Sequence, residues 1–193
     1  MVLSYGSCGR CRPCQEGDAA YCEKFEPLNY TNERQGSDVE IITSGKKKIN
    51  AAFFQQSSSG TYAIAHERNT VKIDKKVDLK LMGPLGCGIQ TGTGTVMNTL
   101  NPNPGASIAK FGVGSTGLSA VMAAKNADCV TIVAVDINPK RLSLAKKLGA
   151  THAINSKKKD AVGGIQKIIE QGVDYAVEAS GIKDVAEIAF NTI

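Results

Sequence analysis

The pattern of apolar and polar positions changes along the chain, and the change falls near residue 85. Upstream, short β-like runs separated by Gly, Ser and Asn predict a β-rich part with long loops; they lie at residues 51–54, 61–65 and 70–73. Downstream, apolar runs of strand length alternate with helical segments, which predicts βαβ units and a parallel, doubly wound α/β sheet. We therefore expect two domains, over residues 1–85 and 86–193.

The downstream part is predicted to contain four strands and three helices. The strands are expected at residues 107–111, 130–135, 151–154 and 173–177, and the first two helices at residues 118–125 and 139–148. A third helix is expected to include residues 165–169 and to be stopped by Gly172. The second strand is almost entirely β-branched, which is typical of a strand buried on both faces. Asn138 can cap the second helix, Pro139 fits its first position, and Gly149 can end it.

Residues 112–117 read Gly-Val-Gly-Ser-Thr-Gly and fit the G-x-G-x-x-G pattern of dinucleotide sites. The pattern follows a predicted strand and opens a predicted helix, whose free N–H groups and dipole attract phosphate. In such a site the first glycine permits the tight turn, the second admits the pyrophosphate, and the third permits close packing of helix and strand. An ordinary turn is the alternative, but the flanking elements favour a dinucleotide site built from Gly112, Val113, Gly114, Ser115, Thr116 and Gly117.

Asp136 follows the second predicted strand, where a carboxylate can accept hydrogen bonds from a ribose 2′-OH. Its negative charge would repel a 2′-phosphate, so the sequence favours NAD over NADP as the cofactor. Arg141, in the following helix, can lie over the adenosine ribose, or it can be an ordinary arginine on a helix surface. Both interpretations of Arg141 stay open.

Four cysteines, Cys8, Cys11, Cys14 and Cys22, lie in one C-x2-C-x2-C-x7-C run. Thiolates at such short spacings can surround a tetrahedral zinc ion at about 2.3 Å. Disulfides are the weaker alternative, because the first residues contain no apolar run of a secretory signal. An iron–sulfur cluster is the closer alternative, although bacterial ferredoxins leave three residues before the fourth cysteine and follow it with proline. The spacing favours zinc.

The remaining candidate residues are single cysteines, two histidines and one lysine. Cys87 is flanked by glycines at the predicted domain junction, where ligand clefts form, but a lone cysteine is also often a small buried apolar residue. Cys129, His66 and His152 are interpreted as structural. Lys110 interrupts the first strand of the sheet. Burial of its charge is costly, so we expect either an outward side chain or a less stable fold.

Composition limits the classes of function. Of the 193 residues, 42% are hydrophobic and 21% are charged, as in a globular protein that can bury a core. The net charge of +5 comes from basic residues spread along the chain, and only 5% of residues are aromatic, so no nucleic-acid partner is expected. No apolar run has the roughly 18 residues of a membrane helix, and we expect a cytoplasmic protein without a membrane partner.

Three features in this order resemble the zinc-containing medium-chain alcohol dehydrogenases: the four-cysteine run, Gly-Cys-Gly-Ile-Gln-Thr-Gly at residues 86–92, and the glycine pattern followed by Asp136. Residues 84–92 and 148–155 look most like the aryl-alcohol, or benzyl alcohol, branch. The resemblance implies a Rossmann-type sheet that is incomplete here, preceded by part of a GroES-like β catalytic domain. It also implies a homo-oligomer in the full-length form.

The resemblance assigns roles to individual residues as well. It implies a structural zinc bound by Cys8, Cys11, Cys14 and Cys22. Cys87 would be one ligand of a catalytic zinc, and Thr91 would lie beside the nicotinamide ring. Asp136 and Arg141 would hold the adenosine ribose. The implied reaction is the reversible oxidation of a primary aromatic alcohol to its aldehyde, with zinc as a Lewis acid and hydride transfer to NAD.

The chain also departs from the family pattern. The family's first catalytic-zinc cysteine and its His-Glu pair lie upstream of the four-cysteine run, which begins here at Cys8, and the later strands of the nucleotide domain are missing. We therefore expect an internal fragment of a longer enzyme that is inactive as it stands. The alternatives from other classes are a non-catalytic NAD-binding protein with a structural zinc and, less favoured, a zinc module for nucleic acid.

Overall fold

The computed structural model describes residues 2–3, 5–31, 42–49, 51–56 and 61–193. The chain divides into two compact units, Met1–Gly86 and Cys87–Ile193, which are called the N-terminal and the C-terminal unit below. Their assignment as a catalytic and an NAD-binding domain stays a prediction. Within the described ranges, no helix has both the length and the apolar character needed to cross a membrane.

The N-terminal unit contains short elements: β1 (Val2–Leu3), α1 (Arg12–Glu16), α2 (Phe25–Asn29), β2 (Thr43–Ser44), β3 (Lys47–Lys48), β4 (Thr70–Val71) and α3 (Leu79–Met82). Strand β1 pairs with β4, and β2 pairs with β3, both antiparallel. Every strand described in this unit has two residues. Its regular β-structure is therefore limited, in the described ranges, to two short ladders.

The β-like runs predicted in this unit are wrong in two of three cases. Phe53–Gln55 forms a 3₁₀ turn, because Ala52 and Phe54 have φ angles of 62° and 54°, in the left-handed region that a strand does not use. Residues 61–65 form no strand and are mostly exposed, so they have no apolar face buried against a neighbour. The third run begins as β4 but pairs only as far as Val71.

The C-terminal unit contains longer elements: α4 (Gly88–Gly94), β5 (Ser107–Phe111), α5 (Ser115–Asn126), β6 (Thr131–Asp136), α6 (Pro139–Leu148), β7 (His152–Asn155), α7 (Ala161–Gln166), β8 (Tyr175–Glu178) and α8 (Lys183–Phe190). A π-helical turn, Thr95–Leu100, continues α4. The four predicted strands all occur, and their ends lie within two residues of the predicted ends. The length and apolar character of the four runs therefore predicted the strands of this unit correctly.

Side-chain caps mark the starts of two helices in this unit, α6 and α7. The Asn138 side chain accepts hydrogen bonds from two N–H groups in the first turn of α6, and Gly149, with a φ of 133°, ends the helix as predicted. Helix α7 begins at Ala161, where the Asp160 side chain caps it in the same way. It ends at Gln166, so it contains only the first two residues of the predicted run 165–169 and does not reach Gly172.

Strands β5 to β8 form one parallel sheet in the order β7-β6-β5-β8. Alternate residues of β5 face opposite sides: Ile108 packs with residues of α5 and α6, whereas Ala109 and Phe111 pack with residues of α7 and α8. Helices therefore cover both faces, and the predicted Rossmann-type, doubly wound sheet is confirmed. The strand order reverses between β5 and β8, and sheets of this kind bind ligands at the carboxyl ends beside such a reversal.

Cys129 and Lys110 are buried side chains with titratable groups in this unit. Cys129 is buried, and desolvation raises the pKa of its thiol, which agrees with a structural role. Lys110 is 1% exposed, so the outward orientation that the sequence allowed is wrong. The strand cannot turn Lys110 into solvent, because helices cover both faces of the sheet.

Candidate functional site

Each glycine of the turn between β5 and α5 has a separate structural reason. Gly112 has a φ of +77°, and a Cβ there would lie 2.7 Å from the Ser180 backbone nitrogen. A Cβ on Gly117 would lie 2.0 Å from the Gly112 carbonyl oxygen, so only glycine permits this contact. Apart from Gly114 and its two chain neighbours, no described residue has an atom within 4 Å of a Cβ built on Gly114. The space beside Gly114 is open, as the approach of a pyrophosphate requires.

Helix α5 begins at Ser115 without a side-chain cap, and the first N–H groups of a helix have no intrahelical acceptor. Such a helix end attracts an anion through these N–H groups and through the helix dipole. Val113 has a different place in the turn, because its side chain is buried and its N–H donates to Asp136 Oδ2 at 2.9 Å. The Val113 backbone therefore links the turn to Asp136, and its side chain packs in the core.

Asp136 lies at the carboxyl end of β6 and is 6% exposed. Besides the bond from Val113, its Oδ1 accepts a hydrogen bond from the Asn138 N–H at 2.8 Å. Arg141 Nη1 lies 3.8 Å from Asp136 Oδ2, and the Arg141 side chain is about half exposed. The structure thus brings the two residues of the predicted ribose site together beside the turn.

Helix α4 carries Cys87 at its N-cap position and Thr91 one turn later, where the Thr91 N–H donates to the Cys87 carbonyl oxygen at 2.9 Å. Both residues are exposed. Helix α4 packs against α5, and a Cβ on Gly92 would lie 2.1 Å from the Thr116 carbonyl oxygen. Cys87 and Thr91 are therefore carried by the helix that lies directly against the first turn of α5.

Ser119 takes part in this helix contact, and the sequence analysis missed it. Its buried Oγ lies 2.9 Å from the Thr116 carbonyl oxygen and 3.2 Å from the Gly88 carbonyl oxygen. A Cβ on Gly92 would lie 2.2 Å from the same Oγ. The spacing of Gly88 and Gly92 was an available signal, because glycines one helical turn apart form a groove that admits a second helix.

Cys87 has no partner set for a metal in the described residues, where it belongs to no group of three or more potential ligands. His66 Nδ1 accepts a hydrogen bond from the Arg68 N–H and caps a 3₁₀ turn. His152 Nδ1 lies 2.9 Å from Thr151 Oγ1. Both histidines thus have local contacts, which agrees with their structural interpretation. The described part of the chain supplies one candidate catalytic-zinc ligand.

The four cysteine sulfurs of the N-terminal unit lie together, as the spacing predicted. All four Sγ atoms are within 4.8 Å of one another; they belong to Cys8, Cys11, Cys14 and Cys22. The Sγ atoms of Cys11 and Cys22 are 3.9 Å apart, and sulfurs that surround one tetrahedral zinc at about 2.3 Å have a similar separation. All four cysteines are free, so the disulfide alternative does not describe this structure.

Backbone N–H groups are directed at these sulfurs. The Cys8 N–H donates to Cys22 Sγ at 3.3 Å, and the Cys11 N–H donates to Cys8 Sγ at 3.4 Å. A backbone hydrogen bond from Arg10, followed by that from Cys11, lowers the pKa of Cys8 to about 6, whereas desolvation raises the pKa of Cys14 to about 12. Cys8 therefore loses its proton easily, whereas Cys14 does not. Four thiolates this close together repel one another, so a cation among them is needed to keep all four deprotonated. The donor set fits a metal ion.

The loop after β8 contributes polar residues that the sequence analysis also missed. The Glu178 carboxylate accepts hydrogen bonds from the Ser180 N–H and Oγ, and from the Gly181 N–H at 3.1 Å. Gly112 approaches the same loop closely. The signal was the run Glu-Ala-Ser-Gly directly after a predicted strand, because strand ends at this edge of the sheet line the ligand crevice.

The strand order and the glycine-rich turn define a Rossmann-type α/β domain, and comparison with known proteins shows which family it resembles. Residues 115–193 match the family of zinc-binding dehydrogenases. The match begins at the first residue of α5 and runs through α8. The predicted relationship to the zinc-containing alcohol dehydrogenases is therefore confirmed.

Individual relatives match the chain over almost its whole length. The geraniol dehydrogenase of Castellaniella defragrans is 37% identical over 186 residues, which cover 96% of this chain and 50% of that protein. The structure of an alcohol dehydrogenase zinc-binding domain protein from Burkholderia ambifaria matches with a TM-score of 0.88 and 47% identity, covering 100% of this chain and 52% of that one. The benzyl alcohol dehydrogenase of Acinetobacter calcoaceticus matches with a TM-score of 0.87 and 44% identity, covering 100% and 51%. The chain spans about half the length of each of these relatives.

Proposed function

We propose that this chain provides the NAD-binding part and the structural-zinc part of an NAD- and zinc-dependent alcohol dehydrogenase. The observation that carries the proposal is the turn between β5 and α5, where an open approach at Gly114 meets an uncapped helix N-terminus beside Asp136. Helix α4, packed on α5, adds Cys87 and Thr91. One compact unit thus carries a nucleotide-binding turn and a candidate metal ligand.

The residues around the turn have separate tasks in binding NAD. The first N–H groups of α5 bind the pyrophosphate, because they are unpaired and lie at the positive end of the helix dipole. The two backbone hydrogen bonds of Asp136 leave carboxylate lone pairs free for a ribose hydroxyl, and its charge excludes a 2′-phosphate. Arg141 lies over the same ribose, and Thr91 lies beside the nicotinamide ring.

Zinc has two sites in this proposal. The four clustered sulfurs hold a structural zinc in the N-terminal unit. Cys87 is one of three protein ligands of a catalytic zinc, and within the described residues it belongs to no group of three potential ligands. When bound, the catalytic zinc supplies a Lewis acid for the alcohol oxygen, and NAD accepts the hydride.

The proposed substrate is a primary aromatic alcohol, which the enzyme oxidises reversibly to its aldehyde. The relatives named for geraniol and benzyl alcohol support a primary alcohol, and the second of them supports an aromatic one. We place the enzyme in the cytoplasm as a homo-oligomer, without a nucleic-acid or membrane partner. The spread of basic residues over the sequence supports the exclusion of nucleic acid.

Binding measurements on the purified 193-residue protein test the cofactor assignments. We expect saturable binding of NADH, because the glycine-rich turn is present. We also expect one tightly bound zinc per chain, at the sulfur cluster. A second zinc is not expected, because Cys87 belongs to no group of three potential ligands in the described residues. The same protein should not oxidise benzyl alcohol with NAD. A protein that binds no NADH, or steady NADH production above background, would overturn the proposal in its present form.

A chimera tests the catalytic assignment. The chain replaces the matching half of the Acinetobacter calcoaceticus benzyl alcohol dehydrogenase, of which it covers 51%. We expect NAD-dependent oxidation of benzyl alcohol that Cys87→Ser abolishes. The matched control is Cys129→Ala, because Cys129 is buried in the core and has no task in the reaction. Activity that survives Cys87→Ser would show that Cys87 is not a catalytic-zinc ligand.

A non-catalytic NAD-binding protein with a structural zinc is the second candidate. It is favoured by the absence, within the described ranges, of a group of three potential metal ligands that includes Cys87. This candidate predicts the same NADH binding and the same single zinc as the first. It differs in predicting a folded chimera that binds NADH and zinc but oxidises no alcohol.

A further inference from the structure

Lys110 is buried in the C-terminal core, and the proposed function so far gives it no task. Its side chain is 1% exposed, and its Nζ finds no hydrogen-bond partner among the described residues. An unpartnered ammonium group in an apolar core costs free energy. A methionine or leucine would fill similar space without that cost. The charge itself therefore requires an explanation.

The position of Lys110 relates this charge to the glycine-rich turn. Lys110 Cε lies 3.6 Å from the point that a Cβ on Gly117 would occupy, and Nζ is one bond further along. Gly117 belongs to the uncapped first turn of α5. The buried amine thus lies close to a helix end that is itself positive. The Lys110 ammonium and the N-terminus of α5 repel each other, because both are positive. An anion bound at this helix end would offset the repulsion by attracting both of them.

In the described structure no charged group forms a hydrogen bond with Lys110 Nζ. Strand β8 contributes Glu178, whose carboxylate accepts hydrogen bonds from Ser180 and Gly181. Strand β6 contributes Asp136, whose carboxylate accepts hydrogen bonds from Val113 and Asn138 and lies 3.8 Å from the Arg141 guanidinium of α6. The first turn of α5 and helix α4 contain no charged residue. Burial lowers the pKa of Lys110 to about 8, and the charge of Glu178 only partly opposes this effect.

We propose that Lys110 is a positioning residue for the dinucleotide, whose buried ammonium adds to the positive field at the first turn of α5 and whose protonation is coupled to pyrophosphate binding. The inference rests on the proposed function, because it requires a dinucleotide at this turn. It adds a residue that does not touch the ligand but acts on it through the first turn of the helix.

The sign of the coupling follows from charge. A bound pyrophosphate favours the charged amine, so the pKa of Lys110 is higher in the complex than in the free protein. The affinity for NADH is therefore highest below pH 8, where Lys110 is already charged, and it falls as the pH rises through that value. Between the pKa of the free protein and that of the complex, binding takes up a proton.

The primary test measures NADH dissociation constants between pH 6.5 and 9.5. For the wild type we expect affinity to weaken by about three- to tenfold across this range, because an interaction between buried charges of this kind shifts a pKa by roughly half a unit to one unit. Lys110→Met should bind NADH more weakly than the wild type at low pH and should lose this pH dependence. Lys147→Met removes an exposed lysine charge on α6 and should keep the wild-type profile.

A second test uses the wild type alone and so needs no folded variant. Calorimetric titration with NADH at pH 8.5, in two buffers of different ionisation enthalpy, should show fractional proton uptake. Heat that is independent of the buffer, or identical pH profiles for the wild type and Lys110→Met, would overturn the inference while leaving NAD binding intact. A wild type that binds no NADH at any pH would overturn the proposed function, and this inference with it.

Discussion

The two units of the chain use different means to hold their structure. In the C-terminal unit the strands have four to six residues, and all five positions of β5 are buried between helices on both faces. In the N-terminal unit the described strands have two residues each, and large apolar side chains such as Leu79 and Leu81 are exposed. Burial of apolar surface therefore stabilises the C-terminal unit, whereas the N-terminal unit depends on local contacts.

The sulfur cluster is the clearest of these local contacts. It joins α1 to the chain before and after it, through Cys8, Cys11, Cys14 and Cys22. Small units with little core commonly rely on a metal or a disulfide in place of apolar burial. The comparison of the two units therefore predicts that metal loss affects the N-terminal unit first and leaves the parallel sheet intact.

The largest expected effect comes from Cys11→Ser. Structural zinc contributes on the order of 10 to 16 kcal/mol of apparent binding free energy in small peptides. Loss of one thiolate should therefore release the ion and unfold the segment around the sulfur cluster. We expect zinc to fall from one per chain to none, with loss of hydrogen-exchange protection over residues 5–31 and unchanged protection of β5 and β6. Cys87→Ser is the control, and it should keep the zinc. Iron with acid-labile sulfide in the wild type would instead support the iron–sulfur alternative.

A pair of glycine substitutions separates stability from binding in the C-terminal unit. Gly117→Ala places a Cβ 2.0 Å from the Gly112 carbonyl oxygen, so we expect a loss of about 3 kcal/mol in the free energy of unfolding. Gly114→Ala meets no described atom within 4 Å and should leave the unfolding free energy almost unchanged. It should nevertheless weaken NADH binding, because the methyl group occupies the pyrophosphate approach.

Thermal melts and NADH titrations on both variants measure this difference. We expect Gly117→Ala to lower the melting temperature of the parallel sheet while the zinc content stays at the wild-type value. Normal NADH binding by Gly114→Ala would contradict the assignment of this glycine. Equal melting temperatures for the two variants would contradict the close contact between α5 and the turn.

The smallest expected effect concerns coenzyme choice. The Asp136 carboxylate should favour NADH over NADPH by at least about tenfold in dissociation constant, or about 1.4 kcal/mol. Asp136→Ser should narrow this preference, because Arg141 then meets the 2′-phosphate without a competing carboxylate. In the double variant with Arg141→Ala the gain in NADPH affinity should disappear. Equal dissociation constants for the two coenzymes in the wild type would contradict the assignment of Asp136.

The elements of the C-terminal unit could be predicted because local preference and tertiary packing agree there. The apolar run that forms β6 is buried in the sheet. Asn138 caps α6, as the local sequence at the start of this helix predicted. The glycine-rich turn carried its own signal in the spacing of its glycines. The cluster of four sulfurs was equally local, because two or seven intervening residues determine where the ligands can meet.

Other features could not be predicted because they depend on residues far apart in sequence. Phe53 and Phe54 looked extended, but each packs its ring on Tyr30, and the backbone is left-handed at Ala52 and Phe54. The contact of Ser119 with α4 requires knowledge of how two helices pack. The burial of Lys110 follows only when both faces of the sheet are known to be covered.

The hydrogen bond from Val113 to Asp136 restricts how this protein could evolve a different coenzyme preference. The carboxylate that would discriminate between the two coenzymes also holds the turn that would bind both of them. Loss of the carboxylate therefore frees a buried N–H group at the same moment as it changes specificity. A lineage moving toward NADP would first need a new acceptor for that N–H, so the order of substitutions matters as much as their identity.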